Sequence, residues 1–278
     1  MPLKTTDLTP CIGTLVETDA ETLIGGTHAA QICEMVSKRG VLVIRGAEMD
    51  DAHQLDFTRT LGPVLDEKSG EVYKVSFDPR ESPKLYFYTP GNFFWHIDRT
   101  DSDVPPFVSM LSAKRLPETG GDTEFANTYA AYEALPEADK RLIENLKVVH
   151  KVEASFRFVP NLTEEQIAAF RAHEPKVHPL VWRHRDGRRS LITSTSAAGI
   201  VGMGVAEGEA LLQRMMDWAT QPRFVYVHEW QLGDVVMWDN TGTMHKARPY
   251  AEDSGRLLHR TTVLGDEPFD PEKERAAA

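Results

Sequence analysis

Cysteine is almost absent: Cys11 and Cys33 are the only two in 278 residues, and they form no CxxC spacing. That excludes a disulfide framework and a zinc ribbon, so any metal has to be held by histidine, aspartate or glutamate. Positive charge is in deficit too. Lysine plus arginine number 31 against 42 aspartate plus glutamate, a net charge of −11, and a body of that sign repels a phosphate backbone. Nucleic acid is not an expected partner. Long apolar runs are lacking, since segments such as 41–44 fall far short of the ~20 residues that span a bilayer, so no membrane partner is expected either. Residues 1–11 carry no apolar targeting core, which makes the cytoplasm the expected location. Internal repeats and Pro/Gly/Ser-rich linkers are also missing. The expectation is one domain over residues 1–278, with 41% hydrophobic residues to build its core.

What remains reads as a mainly β chain with decorating helices. A helix from about Thr27 to Gly40 carries Ile32 and Val36 on its apolar face, and a strand at 41–44 follows. A second helix, capped by Asp50 or Asp51, stops at Leu61-Gly62-Pro63. Residues 71–88 read as aromatic-rich strands and 106–116 as another strand. A Gly120-Gly121 turn then precedes a short strand and helical stretches around 129–146. Residues 153–178 are polar, with a helix start at Thr163-Glu164-Glu165-Gln166, and are expected to form a surface or lid excursion. Later strands are expected at 180–183, 190–193, 224–230, 234–238 and 256–264, with an Asp186-Gly187 hairpin turn and a helix at 207–220.

With ten histidines among 278 residues, roughly 0.7 His-x-Asp triplets are expected by chance, so one occurrence carries little. There are two. His184-Arg185-Asp186 lies in a charged run around an Asp-Gly turn and reads as a solvated hairpin. His96-Ile97-Asp98 follows Phe93-Phe94-Trp95, an aromatic run expected to be buried, and on a strand residues two apart point the same way. An imidazole and a carboxylate would then converge inside the fold. A third ligand is expected from a distant strand, because three ligands on one face of a mononuclear iron leave the other face open. His245, just after the strand Val235-Val236-Met237-Trp238-Asp239-Asn240, is the candidate. A hydrogen-bonded histidine at a strand end is the alternative for that residue alone.

Further on, the period of two in Arg256-Leu-Leu-His-Arg260-Thr-Thr-Val-Leu264 places Arg256, Leu258, Arg260 and Thr262 on one face and Leu257, His259, Thr261 and Val263 on the other. Two guanidinium groups on one face of a central strand each need an anion, since an unpaired charge taken out of water costs several kcal/mol. Protein carboxylates or ligand carboxylates could supply them.

His96-x-Asp98, Gly120-Gly121-Asp122-Thr123, Trp238-Asp239-Asn240 through His245, and Arg256 through Arg260 to Gly265-Asp266 together resemble the taurine dioxygenase and 2,4-D dioxygenase (TauD/TfdA) family of Fe(II)/2-oxoglutarate-dependent oxygenases. The resemblance spans nearly the whole chain. It implies a double-stranded β-helix, or jelly roll, with iron on His96, Asp98 and His245 and 2-oxoglutarate chelating that iron. It implies further that the far carboxylate of 2-oxoglutarate pairs with Arg256, helped by the Thr123 hydroxyl, and that Arg260 meets an acidic group of the substrate. The implied reaction consumes O2, splits 2-oxoglutarate into succinate and CO2, and hydroxylates an aliphatic carbon. Asp98 speaks for hydroxylation, because halogenating relatives lack that carboxylate.

No histidine stands between His53 and His96, where taurine dioxygenases use one to hold the sulfonate, so taurine itself is not the expected substrate. Asn92 matches a substrate-contacting position of that subgroup, although an asparagine satisfying its own turn reads as well. Six of 24 aromatics fall between Tyr86 and Trp95, and those not needed for core packing could line an apolar pocket. This favours a small acid with a hydrophobic or aromatic body: an aryloxyalkanoate, an alkyl sulfate or a sulfonate. The same chemistry on a larger apolar metabolite is the alternative within the class, and a non-catalytic jelly roll that binds a metal or an acid is the alternative outside it. The expected partners are the small-molecule substrate, 2-oxoglutarate and O2, with self-association into a homo-oligomer.

Overall fold

The computed structural model describes residues 3–65, 72–83, 86–171 and 173–271. Residues 71, 84, 85 and 172 of the segments read above lie outside them. Seven strands make the largest sheet, in the order Lys4–Asp7, Thr14–Glu17, Val41–Ile44, Val235–Asp239, Val108–Arg115, Leu257–Val263 and Tyr73–Val75. Its pairings are antiparallel except that of Thr14–Glu17 with Val41–Ile44.

Strand alternation explains both faces of this sheet. Leu42, Ile44, Met110, Val235 and Met237 point to one side, where the helices Ala20–Ile24, Ala29–Arg39 and Asp51–Leu61 bring Leu23, Ile32, Val36 and Phe57 against them. Val41, Val43, Leu111, Val236, Trp238 and Leu258 point to the other side, toward Phe125. Phe125 belongs to a second, three-stranded sheet of Val225–His228, Thr123–Asn127 and Thr243–Ala247. Each fully buried large aliphatic or aromatic side chain stabilises this two-sided core by about 1.5–3 kcal/mol. The result is a jelly roll with helices on its outer face.

Local signals end the helices where the sequence predicts. Asp50 caps Asp51–Leu61, its carboxylate accepting from the His53 amide at 2.8 Å. Gly40, at φ 73°, stops Ala29–Arg39 and returns its amide to the Val36 carbonyl. Thr163 and Gln166 form a reciprocal capping box (2.8 and 3.2 Å) before the helix Glu164–Arg171.

Several readings need correction. The described residues of 71–88 do not form a run of strands: Tyr73–Val75 is short, and Tyr86–Phe93 is a 3-10 helix. Pro90 lacks the amide a ladder needs, and Gly91 adds no packing, so this stretch lies over the barrel mouth instead of entering a sheet. Accordingly Phe93, Phe94 and Trp95 are half-buried, not core. The strands Lys147–His150, Lys176–Pro179 and Ala197–Ile200, which pair with one another, and Thr243–Ala247 have no separate signal in the sequence reading. The first three residues of Lys176–Pro179 fall within the predicted excursion.

Candidate active site

The chain turns sharply after Val235–Asp239 and comes back as Thr243–Ala247, which pairs with Thr123–Asn127 so that His245 stands opposite Phe125. His245 is therefore mid-strand, not beyond a strand end. Gly242 makes the turn possible, since a Cβ there would lie 1.7 Å from the Tyr129 ring. His96 belongs to no extended strand. One antiparallel bridge joins it to His245, with amides 3.0 and 2.9 Å from the opposite carbonyls. Asp98 already sits in the turn that follows. The predicted convergence holds nonetheless, because this bridge lays the two imidazoles together with ring centroids 4.1 Å apart.

Ligating atoms of His96, Asp98 and His245 all lie within 4.8 Å of one another. His96 uses Nδ1 on the Phe94 carbonyl at 2.8 Å, which leaves Nε2 for the shared space. His245 Nε2 lies 3.9 Å from Asp98 Oδ1, and the other Asp98 oxygen, Oδ2, accepts from the Ser109 hydroxyl at 2.8 Å. Burial pushes both imidazoles toward the neutral form, His245 down to about 3 with His96 adding to the effect. Burial would raise Asp98, but Arg260 foremost, then the imidazoles and Ser109, outweigh it and hold the carboxyl at about 2. Two neutral imidazoles and one carboxylate are the protonation states a divalent cation requires. The donor set fits ferrous iron, as two histidines and one carboxylate on one side of an open cavity. His184 and Asp186 contribute nothing to this cluster. His184 is buried, not solvated, with Nε2 2.8 Å from the Ser190 hydroxyl.

Arg256, Leu258 and Arg260 line the same cavity as His96 and His245, so the predicted face holds despite a register shift between Leu257 and Leu258. The two cations differ in their partners. Arg260 has its Nη1 3.5 Å from Asp98 Oδ1 and its guanidinium 4.6 Å from the Tyr73 ring centroid. Arg256, 3% exposed, forms no ion pair among the described residues. Its Nη2 donates to the Gly121 carbonyl at 2.9 Å, its face lies 4.6 Å from the Tyr250 ring, and its Nε has no partner. Gly121, at φ 77°, is required here, because a Cβ would stand 2.9 Å from that Nε.

Thr123 also lines the cavity. Its oxygen accepts from the Trp230 indole at 3.0 Å, so its own proton is free to be donated. The Tyr250 hydroxyl is buried on the cavity wall without a hydrogen-bond partner, and its ring is held edge-on by Phe77 and Phe93 at 5.3 and 5.5 Å. Asn92, on the 3-10 helix, completes the rim. All seven site residues read from the sequence are thus brought together. Tyr250, Trp230, Ser109 and Asn240 are missed by that reading. The two-residue period of Trp238-Asp239-Asn240 is a usable signal for Asn240, whereas Tyr250 sits in the irregular segment after Thr243–Ala247, where no spacing points to it.

Comparison with known proteins agrees with this geometry. The family model described as taurine catabolism dioxygenase TauD, TfdA family matches residues 4–262. An alpha-ketoglutarate-dependent 2,4-dichlorophenoxyacetate dioxygenase of Cupriavidus pinatubonensis is 34% identical over 266 residues, which cover 89% of this chain and 92% of that protein. An (S)-phenoxypropionate/alpha-ketoglutarate-dioxygenase of Sphingobium herbicidovorans is 32% identical over 251 residues, 86% of this chain and 85% of its own. The crystal structure of AAD-2 in complex with Mn(II) and N-oxalylglycine superimposes with a TM-score of 0.82 at 32% identity, covering 97% of this chain and all (100%) of that one. The chain therefore belongs to the TauD/TfdA family and is an Fe(II)- and 2-oxoglutarate-dependent dioxygenase.

Proposed function

We propose that His96, Asp98 and His245 hold the iron, that Arg256, Thr123 and Tyr250 bind the far carboxylate of 2-oxoglutarate, and that Arg260 and Asn92 receive the acidic end of an aryloxyalkanoate. The observation that carries this reading is Arg256: a buried guanidinium with no carboxylate in contact among the described residues, on the wall of the cavity shared with the metal triad. An unpaired buried cation costs several kcal/mol, which an incoming carboxylate offsets. Thr123 and Tyr250 each add a hydroxyl donor to the same anion. Iron, when bound, would supply the redox chemistry with O2 as the oxidant: one oxygen atom goes into succinate as 2-oxoglutarate loses CO2, and the other into the hydroxyl placed on the substrate carbon.

The protein's own part is placement. Arg260 offers a second cation at the mouth. Tyr250, packed against Phe77 and Phe93, lines the cavity together with Val75, Leu111 and Leu258, an apolar wall suited to an apolar body carrying one acidic group. Two relatives act, by name, on ring-bearing phenoxy acids. Alkyl sulfates and sulfonates present the same anion on an aliphatic body and form the second substrate class. A cytoplasmic location goes with this reading, and no helix among the described residues is long and apolar enough to cross a membrane.

The test is succinate release from 2-oxoglutarate with iron and ascorbate across aryloxyacids, alkyl sulfates, sulfonates and uncharged aromatic ethers. Aryloxyacids should give the highest kcat/KM. Equal turnover of the uncharged ethers would overturn the acidic-substrate assignment. Full metal affinity in His245→Ala would overturn the triad.

A further inference from the structure

Asp98 is held by a chain of hydrogen bonds whose direction can be read without ambiguity. It starts at the Trp238 indole N–H, which can only donate. That group lies 3.0 Å from Asn240 Oδ1, so the amide oxygen is the acceptor and the orientation of Asn240 is settled. The amide nitrogen then faces Ser109 Oγ at 2.9 Å and, having only protons to give, donates to it. Ser109 is left with one proton, and the remaining neighbour is Asp98 Oδ2 at 2.8 Å. Trp238, Asn240 and Ser109 are 1%, 0% and 0% exposed, so water does not compete for any link.

The backbone makes this chain stiff. Ser109 and Trp238 are register partners on adjacent antiparallel strands, and the Asn240 amide is tied to the Phe107 carbonyl at 2.9 Å. The Trp238 ring also packs on His245, centroid to centroid 4.5 Å. One unit therefore touches two of the three proposed ligands.

We propose that Trp238, Asn240 and Ser109 are positioning residues: a one-way donor chain that commits Asp98 Oδ2 to Ser109 and leaves Oδ1, on the His245 side, as the single oxygen offered to the metal. The inference rests on the proposed metal triad. Its functional content is that the chain keeps Asp98 a one-oxygen ligand, so that the rest of the coordination sphere stays open for 2-oxoglutarate and O2. Partners of this kind hold metal affinity to the extent of 10- to 100-fold in other sites.

Cobalt(II) titration of the full-length, metal-stripped protein reads this without turnover, through its dissociation constant and its visible bands, which report ligand geometry. Ser109→Ala should weaken cobalt binding about 10- to 100-fold and change the bands, with the metal-free melting temperature nearly unchanged. Asn240→Asp is nearly isosteric but accepts where Asn240 donates. It draws the Ser109 proton away from Asp98, and should reproduce the Ser109→Ala spectrum. If Asn240→Asp does not fold, Ser109→Ala alone decides. Cobalt affinity within about twofold of the unaltered chain and an unchanged spectrum in Ser109→Ala would overturn the proposal. Asp98→Ala separates this from the parent reading, since retained affinity there removes the triad itself, while lost affinity there with a silent Ser109→Ala removes only the donor chain.

Discussion

Arg260 stands 3.5 Å from the proposed metal ligand Asp98 through Nη1 and Oδ1, while Arg256, four residues earlier on the same face, has no carboxylate within ion-pair distance among the described residues and feels Asp122 only from farther off. One cation is thus compensated by the site itself. The other awaits its anion.

Because the Arg260 side chain is 30% exposed and lies over the Tyr73 ring, it can turn toward an incoming acid without leaving the cavity. Arg260→Ala should raise KM for an acidic substrate by tenfold or more, the equivalent of a charge-assisted bond of about 1.5–3 kcal/mol. KM for 2-oxoglutarate should stay within about twofold. Succinate formed per hydroxylated product should rise, because the target carbon is no longer fixed. A lower melting temperature with unchanged substrate KM would make Arg260 a structural partner of Asp98 only.

Arg256→Ala should have the complementary effect. Loss of the buried guanidinium should raise apparent KM for 2-oxoglutarate by at least tenfold. Arg256→Lys should recover part of that, since an ammonium cannot make the two-pronged contact. Isothermal titration with N-oxalylglycine checks both, and equal affinity in all three proteins would move the role elsewhere.

Tyr250→Phe deletes one buried hydroxyl and leaves the ring between Phe77 and Phe93. A neutral hydrogen bond is worth about 0.5–1.5 kcal/mol, so 2-oxoglutarate binding should weaken roughly 2- to 10-fold. Oxalate, which has no far carboxylate, serves as the control and should bind as before. An identical loss for both ligands would mean the hydroxyl does not meet that carboxylate.

On the opposite side of the strand from Trp238, Asp239 is wholly buried. Its Oδ1 accepts from the Thr241 amide and hydroxyl, and its Oδ2 has no partner. Burial raises it to about 7, against the weaker pull of Thr241 and Arg188, with Glu267 pushing the same way as burial. A folded pKa above the unfolded one means that the native state holds the extra proton. Its contribution is complete below pH 4 and is lost as pH rises through 7. Asp239→Asn stays neutral at every pH, so from pH 5 to pH 8 its stability should improve relative to the unaltered chain by on the order of 2 kcal/mol. Urea unfolding at the two pH values measures this, and parallel profiles would show that Asp239 titrates normally.

Local periodicity carried much of this protein into view. Strand alternation is a property of adjacent residues, so it placed Arg256 with Arg260 before any partner was known, whereas His96 and Asp98 converge through one bridge and the turn after it. Asp50 and Gly40 likewise act within a turn of themselves, and the helices end where those residues stand. The stretch 71–88 misled because its aromatic composition favours strand, while its last three residues open the 3-10 helix Tyr86–Phe93, where Pro90 forbids the ladder. Partnership was decided by the tertiary structure alone. Ser109 and Asn240 meet across 131 residues, Thr123 and Trp230 across 107, and Arg260 reaches Asp98 from the far end of the chain. Spacing in the sequence put Arg256 and Arg260 on one face, and the family resemblance pointed to Thr123 and Asn92. Which of them are satisfied by the protein, and which are left with a proton or a charge for a ligand, depends on strand register between distant segments, and no local pattern encodes that.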